Sequence, residues 1–164
     1  MSADSSSAPP AVQVAEPPRA MLKVANAIFR TLLRSPVHGL VDQAFMLLHV
    51  TGRKSGNSYD IVVGRQEADG VLFAVTSAPW RRNLTGGATV GITERGETRQ
   101  ARAELIEDPN AVAEVYRGQI DRLGGPKGGR RLGIKINVDR TPTHDELVEA
   151  VHREHLSVVR ILPA

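Results

Sequence analysis

Residues 51–56, TGRKSG, have the residue types of an anion-binding turn. Glycine readily adopts the positive φ angles that point successive backbone N–H groups into one concavity, and such a concavity binds anions. Arg53 can add a bidentate fork to a phosphate, and Lys54 can add a point charge. Apolar residues precede and follow the segment, so the pattern predicts a corner between two strands. This corner therefore suits a negatively charged ligand.

A second group of chemically useful residues lies in residues 76–84, TSAPWRRNL, after another apolar run. It contains a hydroxyl at Ser77, the only tryptophan of the chain at Trp80, an amide at Asn83 and two arginines between them. Taken alone, the tryptophan is more typical of core packing, and the arginines are more typical of a solvated turn. Two anion-friendly corners around one small sheet together indicate a phosphorylated or polycarboxylate ligand.

The sequence lacks the common catalytic and nucleotide-binding motifs. It contains no P-loop, no dinucleotide-binding glycine pattern, no HExxH and no nucleophile elbow. His152 and His155 share a predicted helix but have no third ligand in register, so we expect no metal site. His49, inside an apolar strand, is interpreted as a hydrogen-bonded core histidine and not as a base.

Composition limits the class of protein. The 164 residues suffice for one domain with a real core, and 41% hydrophobic and 24% charged residues are typical of a soluble globular protein. The net charge of +3 favours anionic partners, whereas an aromatic content of 4% argues against a base-stacking surface. Cysteine is absent, which excludes disulfides and thiolate chemistry. Without a signal-peptide pattern, the expected location is the cytoplasm.

Two regions are expected along the chain. Residues 1–20, rich in proline and serine, are predicted to be a disordered arm, and residues 21–164 to form one domain. The domain is predicted to begin with a basic amphipathic helix over residues 21–34, which suits packing on its own domain. Peripheral contact of this helix with a membrane surface stays open as the alternative.

The hydrophobic pattern predicts a sheet followed by helices. A helix capped by Asp108 and Pro109 and a second with a Thr143–Glu146 capping box follow the sheet, with a flexible basic loop, GGPKGGRR, between them. Short turns between consecutive strands imply an α+β fold with a mainly antiparallel barrel or half-barrel flanked by helices. The strands are predicted over residues 44–50, 58–66, 71–77, 88–94, 97–106, 132–138 and 157–163.

Several segments, in this order and spacing, resemble a known family. LLRSPVHGL, TGRKSG, VTSAPWRRNL and VGITERGETRQARAELI are similar to segments of the deazaflavin-dependent nitroreductase and quinone reductase family of actinobacterial proteins, over roughly residues 28–125. The resemblance implies a split β-barrel related to FMN-binding proteins. It also implies an F420-dependent reductase that passes a hydride from the reduced deazaflavin, coenzyme F420, to a quinone, nitroaromatic or similar acceptor.

The resemblance also implies roles for particular residues. The turn at 53–56 would hold the phosphodiester and oligoglutamate tail of F420, Val62 and Val63 would lie against the deazaflavin ring, and Ser77 would donate a hydrogen bond to the acceptor. Val62 and Gly64 stand where the family commonly has proline and tyrosine. The implied cofactor-binding residues are Arg53, Lys54, Ser55, Gly56, Val62, Val63, Ser77, Trp80, Arg81 and Asn83, with Tyr116 at the acceptor site.

Two alternatives remain from the sequence. The same fold could hold FMN, or bind a cofactor or lipid without catalysis. A basic nucleic-acid-binding barrel belongs to another class, and the low aromatic content counts against it. The expected partner is thus a small-molecule hydride acceptor and no nucleic acid, with the chain a monomer or a homodimer.

Overall fold

The computed structural model describes residues 7–15, 23, 27–28, 31, 36 and 43–164. Most of the helix predicted over 21–34 lies outside the described residues. No helix of the described part is long and apolar enough to cross a membrane. The elements formed by residues 7–15 and 43–164 are β1 (Val12–Val14), β2 (Phe45–Thr51), β3 (Ser58–Gly64), β4 (Gln66–Ala68), β5 (Val71–Thr76), a 3₁₀ helix (Pro79–Leu84), β6 (Ala88–Glu94), β7 (Glu97–Ile106), α1 (Pro109–Arg122), a second 3₁₀ helix (Pro126–Leu132), β8 (Ile134–Ile136), α2 (His144–Glu154) and β9 (Ser157–Pro163).

Seven of the strands form one antiparallel sheet in the order β3-β2-β6-β7-β9-β5-β4, while β1 and β8 pair separately. The hairpins β2–β3, β4–β5 and β6–β7 follow the predicted short turns. The C-terminal strand β9 lies between β5 and β7, so β5 does not pair with β6, the next strand in sequence. The α+β class and the antiparallel sheet are confirmed.

The sheet curls until its two edge strands meet at Arg65. Seven strands spaced about 4.8 Å apart would put the edges of a flat sheet about 29 Å apart. Strands β3 and β4 are those edges, yet Arg65 alone separates them in the chain, and two Cα–Cα links reach less than about 8 Å. The backbone N–H of Arg65 donates to the Ala44 carbonyl, and its guanidinium pairs with Glu94 at 2.9 Å and Glu67 at 2.8 Å. The sheet is therefore a curled half-barrel whose two edges meet at this corner.

Two apolar clusters lie on the two faces of the curled sheet. The inner cluster fills the barrel, and the outer one packs α1 and α2 against the sheet together with β1 and β8. Successive side chains of a strand point to opposite faces of the sheet, so each strand contributes residues to both clusters. Representative members of the inner cluster are Met46, Leu48, Val90, Ile92 and Val159, and of the outer cluster Phe73, Tyr116, Ile120, Leu147 and Val158.

The predicted helix starts are confirmed. The Asp108 side chain accepts a hydrogen bond from the Ala111 N–H, and proline occupies the first helical position of α1. At the start of α2, Thr143 and Glu146 form both bonds of a capping box. These local bonds satisfy backbone N–H groups that have no partner within the helix.

The disorder expected for residues 1–20 is wrong for Val12–Val14. These residues pair with β8, Val12 facing Ile136, and Val12 is 1% exposed within the outer apolar cluster. Arg153 of α2 donates to the Val12 carbonyl and holds the strand from the other side. The prediction of disorder rested on the average composition of twenty residues. Within them, Val12 and Val14 bury apolar surface, and their backbone pairs with β8.

The flexible loop expected at GGPKGGRR is instead the 3₁₀ helix Pro126–Leu132. Gly128 and Gly129 are buried because the chain passes close to its neighbours there. A Cβ would lie 2.4 Å from the Leu123 Cβ at the first position and 2.9 Å from the Ile136 Cδ1 at the second. These glycines therefore permit close packing and do not mark a flexible segment.

His49 is hydrogen-bonded at both ring nitrogens as expected, but the core location predicted for it is wrong. Its Nδ1 lies 2.7 Å from Asp60 on β3, and its Nε2 lies 2.7 Å from the Thr93 hydroxyl on β6. The side chain is partly exposed on the outside of the barrel and not in its core. Gly91 makes room for the ring, because a Cβ there would lie 3.0 Å from His49 Cδ2. The histidine thus links three strands.

Glu146→Gln is expected to lower the melting temperature at neutral pH and to lose this effect in acid. Hydrogen bonds from the Arg140 guanidinium and then from the Thr143 N–H hold the pKa of Glu146 at about 2, below the ordinary 4.5. A carboxyl whose pKa is lowered by folding stabilises the protein above the unfolded pKa. That stabilisation disappears as the pH falls from about 4.5 to about 2.

Circular-dichroism melting of both proteins across this pH range measures the effect. Glu114→Gln, at an exposed position of α1, is the matched control. A difference between wild type and Glu146→Gln that stayed constant down to pH 2 would contradict the ion-pair explanation.

Candidate functional site

The first corner is the six-residue loop 52–57 between β2 and β3. The Gly52 N–H donates to the Asn57 carbonyl at 2.8 Å, and the Gly56 N–H donates to the Gly52 carbonyl at 2.9 Å. Gly56 has a φ of +70°, the conformation expected for a glycine in an anion-binding turn. A Cβ at position 52 would lie 2.6 Å from Ser55 Oγ, so glycine is needed there for close approach. The loop is therefore compact, with its two cations exposed.

The second corner is the 3₁₀ helix Pro79–Leu84, which follows β5. Arg81 is 7% exposed, and its Nη1 donates to the carbonyls of Ser77 at 2.9 Å and Ala78 at 3.0 Å. Its Nε lies 3.6 Å from Glu107, close enough for an ion pair and too far for a hydrogen bond. Arg81 thus fixes the backbone that leads into the helix.

Asn83 joins the two corners. Its Oδ1 accepts the Arg53 N–H at 3.1 Å, and its Nδ2 donates to the Trp80 carbonyl at 3.0 Å. A cleft of about 940 Å³ lies between the corners. The two hydrogen bonds of Asn83 hold the loop 52–57 against the 3₁₀ helix Pro79–Leu84. The residues that line the cleft are Gly52, Arg53, Lys54, Ser55, Tyr59, Pro79, Trp80, Arg82, Asn83 and Thr85.

The cleft is cationic and has two aromatic walls. Arg53, Lys54 and Arg82 line it, no acidic residue does, and none of the three has an ion-pair partner in the described part of the chain. Tyr59 is 44% exposed, and Trp80 packs partly against the barrel core. The arrangement can hold several negative charges and a flat apolar ring at once.

Five of the predicted site residues line the cleft, and one more, Gly56, lies in the same loop. Ser77 does not line it: this half-buried residue precedes the 3₁₀ helix, and its carbonyl accepts from Arg81. Arg81 itself lies below the cleft as a buried support. The five that line it are Arg53, Lys54, Ser55, Trp80 and Asn83.

The remaining predicted residues lie elsewhere. Val63 belongs to the barrel core at 7% exposure, and Val62 is half-buried opposite Leu47. Tyr116 is 1% exposed within the outer apolar cluster, and its burial raises the pKa of its phenol. A side chain so enclosed cannot line an open acceptor site, so the placement expected for Tyr116 is corrected.

Two side chains that line the cleft, Tyr59 and Arg82, were not among the predicted site residues. Tyr59 is the second residue of β3, and its hydroxyl lies 3.3 Å from Ser55 Oγ across the corner. Its nearness to the cation loop in sequence was an available signal. For Arg82 there was none, because only the fold shows which of two adjacent arginines is buried.

No protein-family model matches the chain, and no curated protein matches it either. The solved structures similar to it include the following two. One, described as a domain-swapped dimer, is 16% identical, with a TM-score of 0.47 over 87% of this chain and 98% of that chain. The other, an F420 reductase, is 16% identical, with a TM-score of 0.41 over 82% of this chain and 92% of that chain.

Arg81→Met is expected to lower the free energy of unfolding, whereas Arg82→Met is expected to leave it nearly unchanged. The first leaves two carbonyl groups without their buried donor and should lower the free energy of unfolding by about 2–3 kcal/mol. The second changes an exposed side chain and should alter stability by less than about 0.5 kcal/mol. Urea unfolding measures both, and equal losses for the two variants would refute the assignment of Arg81.

Proposed function

We propose that this chain is an oxidoreductase that binds coenzyme F420 in the cleft between its two corners. Its acceptor class is a quinone, a nitroaromatic or a similar activated compound. The observation that carries the proposal is the convergence, in one cleft, of three cations without ion-pair partners in the described part of the chain and two aromatic side chains. The resemblance of TGRKSG and APWRRN to the deazaflavin-dependent family supports the same ligand.

The charges of the cleft fit the anionic part of F420. The coenzyme carries a phosphodiester and an oligoglutamate tail, so it presents several negative charges along one arm. Arg53 and Arg82 can each take a phosphate or carboxylate by a bidentate fork, and Lys54 adds a point charge. The backbone N–H groups of Gly52, Arg53, Gly56 and Asn57 are bonded within the protein, so the cationic side chains carry the proposed anion binding.

The aromatic side chains fit the flat part of F420. Tyr59 and Trp80 line the same cleft, whose volume of about 940 Å³ lies within the range of small-molecule sites. Because Trp80 packs on the barrel core and Asn83 holds its carbonyl, its ring has a defined position. Val62 and Val63, which the resemblance implies as contacts of the deazaflavin ring, do not line this cleft. We therefore assign the support of that ring to Tyr59 and Trp80.

Reduced F420, when bound, supplies a hydride, so the chain needs no nucleophile of its own. The residues of the cleft bind the anionic arm, orient the ring and exclude water from it. A hydrogen-bond donor is still needed for the acceptor oxygen on which negative charge develops. The Tyr59 hydroxyl lies on the cleft and Ser77 does not, so we assign this donor to Tyr59.

Binding is tested by titration with three ligands. Purified protein is titrated with oxidised F420, FMN and single-stranded DNA while the fluorescence of Trp80 is recorded. Trp80 is the only tryptophan and lines the cleft, so quenching reports this site. We expect saturable quenching by F420. Saturation by FMN alone would favour the flavin alternative, and binding of DNA alone would favour the nucleic-acid alternative.

In the same assay, Lys54→Ala should weaken F420 binding by about 1.5–3 kcal/mol, since a charge-assisted hydrogen bond is lost. Arg117→Ala is the matched control, because this exposed cation lies on α1 and does not line the cleft. Equal affinity in wild type and Lys54→Ala would reject the role of the corner.

Tyr59→Phe should slow hydride transfer to a quinone about tenfold or more while F420 affinity stays near that of wild type. The variant keeps the ring and removes only the hydroxyl. Ser77→Ala should leave both quantities unchanged, because its side chain does not line the cleft. Single-turnover absorbance of reduced F420 gives the rate, and the reverse pattern would restore Ser77 as the donor.

A further inference from the structure

A second cationic cavity lies between the 3₁₀ helix Pro126–Leu132 and β8. Its volume is about 460 Å³, and it shares no residue with the cleft. We call it the basic groove. The residues that line the basic groove are Pro126, Lys127, Arg130, Ile134, Lys135 and Ile136.

The charge of this region is one-sided. Residues 127–135 contain four cations, Lys127, Arg130, Arg131 and Lys135, and no acidic residue. Their sum exceeds the net charge of the whole chain, which is +3. All four are exposed, so they are accessible to a ligand from solvent.

The absence of partners distinguishes these cations from most others. Eight arginines of the described chain have a carboxylate within 4.0 Å, whereas none of the four cations does. Like charges brought together without counter-charges repel, and an anion bound between them removes that cost. The cleft shows the same pattern of unpartnered cations. The arginines with partners are Arg65, Arg81, Arg99, Arg102, Arg122, Arg140, Arg153 and Arg160.

The backbone that carries the groove cations is well held. Gly128 and Gly129 pack closely against Leu123 and Ile136, and Gly133 ends the 3₁₀ helix with a φ of +71°. Lys135 enters from β8, which is paired along its length with β1. The cations thus approach the groove from two elements that close packing and strand pairing fix in place.

We propose that the basic groove is a second binding site, for a phosphate-bearing ligand with an apolar portion. Arg130 supplies a bidentate fork to the phosphate, and Lys127 and Lys135 supply point charges beside it. Pro126 and Ile136, which are half-buried, give the groove an apolar surface for the rest of the ligand, and the buried Ile134 packs beneath them. No aromatic side chain lines it, so base stacking has no support there. The site is independent of the proposed F420 cleft.

Calorimetric titration with inorganic pyrophosphate tests the site in the full chain. The groove variant is Lys127→Gln/Arg130→Gln/Lys135→Gln, and the cleft variant is Arg53→Gln/Lys54→Gln. We expect the cleft variant to retain one pyrophosphate site that the groove variant weakens about tenfold or more. Arg117→Gln, an exposed cation outside both cavities, should bind as wild type does. Loss in the cleft variant with full retention in the groove variant would overturn the proposal.

Two further binding experiments distinguish a free phosphate ligand from a lipid headgroup. Glycerol 3-phosphate represents a free ligand, and vesicles of phosphatidylglycerol, with phosphatidylcholine vesicles as the neutral control, represent a lipid headgroup. Groove-dependent binding of either anionic probe supports the site and names its source. Groove-dependent binding of duplex DNA in preference to both would overturn the small-ligand assignment. If the triple substitution lowers the melting temperature, Arg130→Gln alone replaces it and should weaken binding about fivefold or more.

Discussion

The closure of the sheet at Arg65 is the constraint on which the rest of this structure depends. The two strands that end the sheet follow each other in the chain with one residue between them, so the sheet has to curl. Arg65 secures this corner through ion pairs with Glu94 of β6 and Glu67 of β4. Burial alone lowers the pKa of Arg65, but hydrogen bonds to the two carboxylates outweigh it and the net pKa is raised.

Closure also creates the cleft. Strand β5 leads to β6, but β7 and β9 lie between them in the sheet, so residues 77–87 must cross one end of the curled sheet. The loop 52–57 lies at the end of the β2–β3 hairpin. It contacts residues 77–87 through the hydrogen bond from the Arg53 N–H to the Asn83 side chain. Neither corner forms a cleft by itself. The proposed ligand site is thus a consequence of barrel topology acting on two local turns.

The distribution of ion pairs divides the cations into two groups. On the outside of the sheet, arginines such as Arg99 and Arg160 face glutamates on the same or neighbouring strands. Exposed pairs of this kind contribute little to stability, but they neutralise the surface. By contrast, the three cations of the cleft and the four of residues 127–135 have no ion-pair partner in the described chain. Two regions of the surface therefore combine several cations with no neutralising carboxylate.

The sequence by itself determined most of the strands, the two α-helices and their caps, but it did not separate β3 from β4, which it predicted as one strand over 58–66. Alternating apolar residues gave the strands close to their observed bounds, and Asp108, Thr143 and Glu146 act through bonds that span only a few residues. It also indicated both cation corners, because turn chemistry is local. Its error at Val12–Val14 arose where a short apolar pattern lay within a polar, proline-rich segment.

Only the tertiary structure decided which side chains share the cleft. Adjacent arginines at 81 and 82 have identical chemistry, yet one supports the backbone from below and the other faces the cleft. Likewise Tyr59 reaches the cleft while Tyr116 is enclosed by helices and sheet. The position of β9 between β5 and β7 could not be read from neighbouring residues either. Each depends on contacts between segments far apart in the chain, which no local pattern of residues specifies.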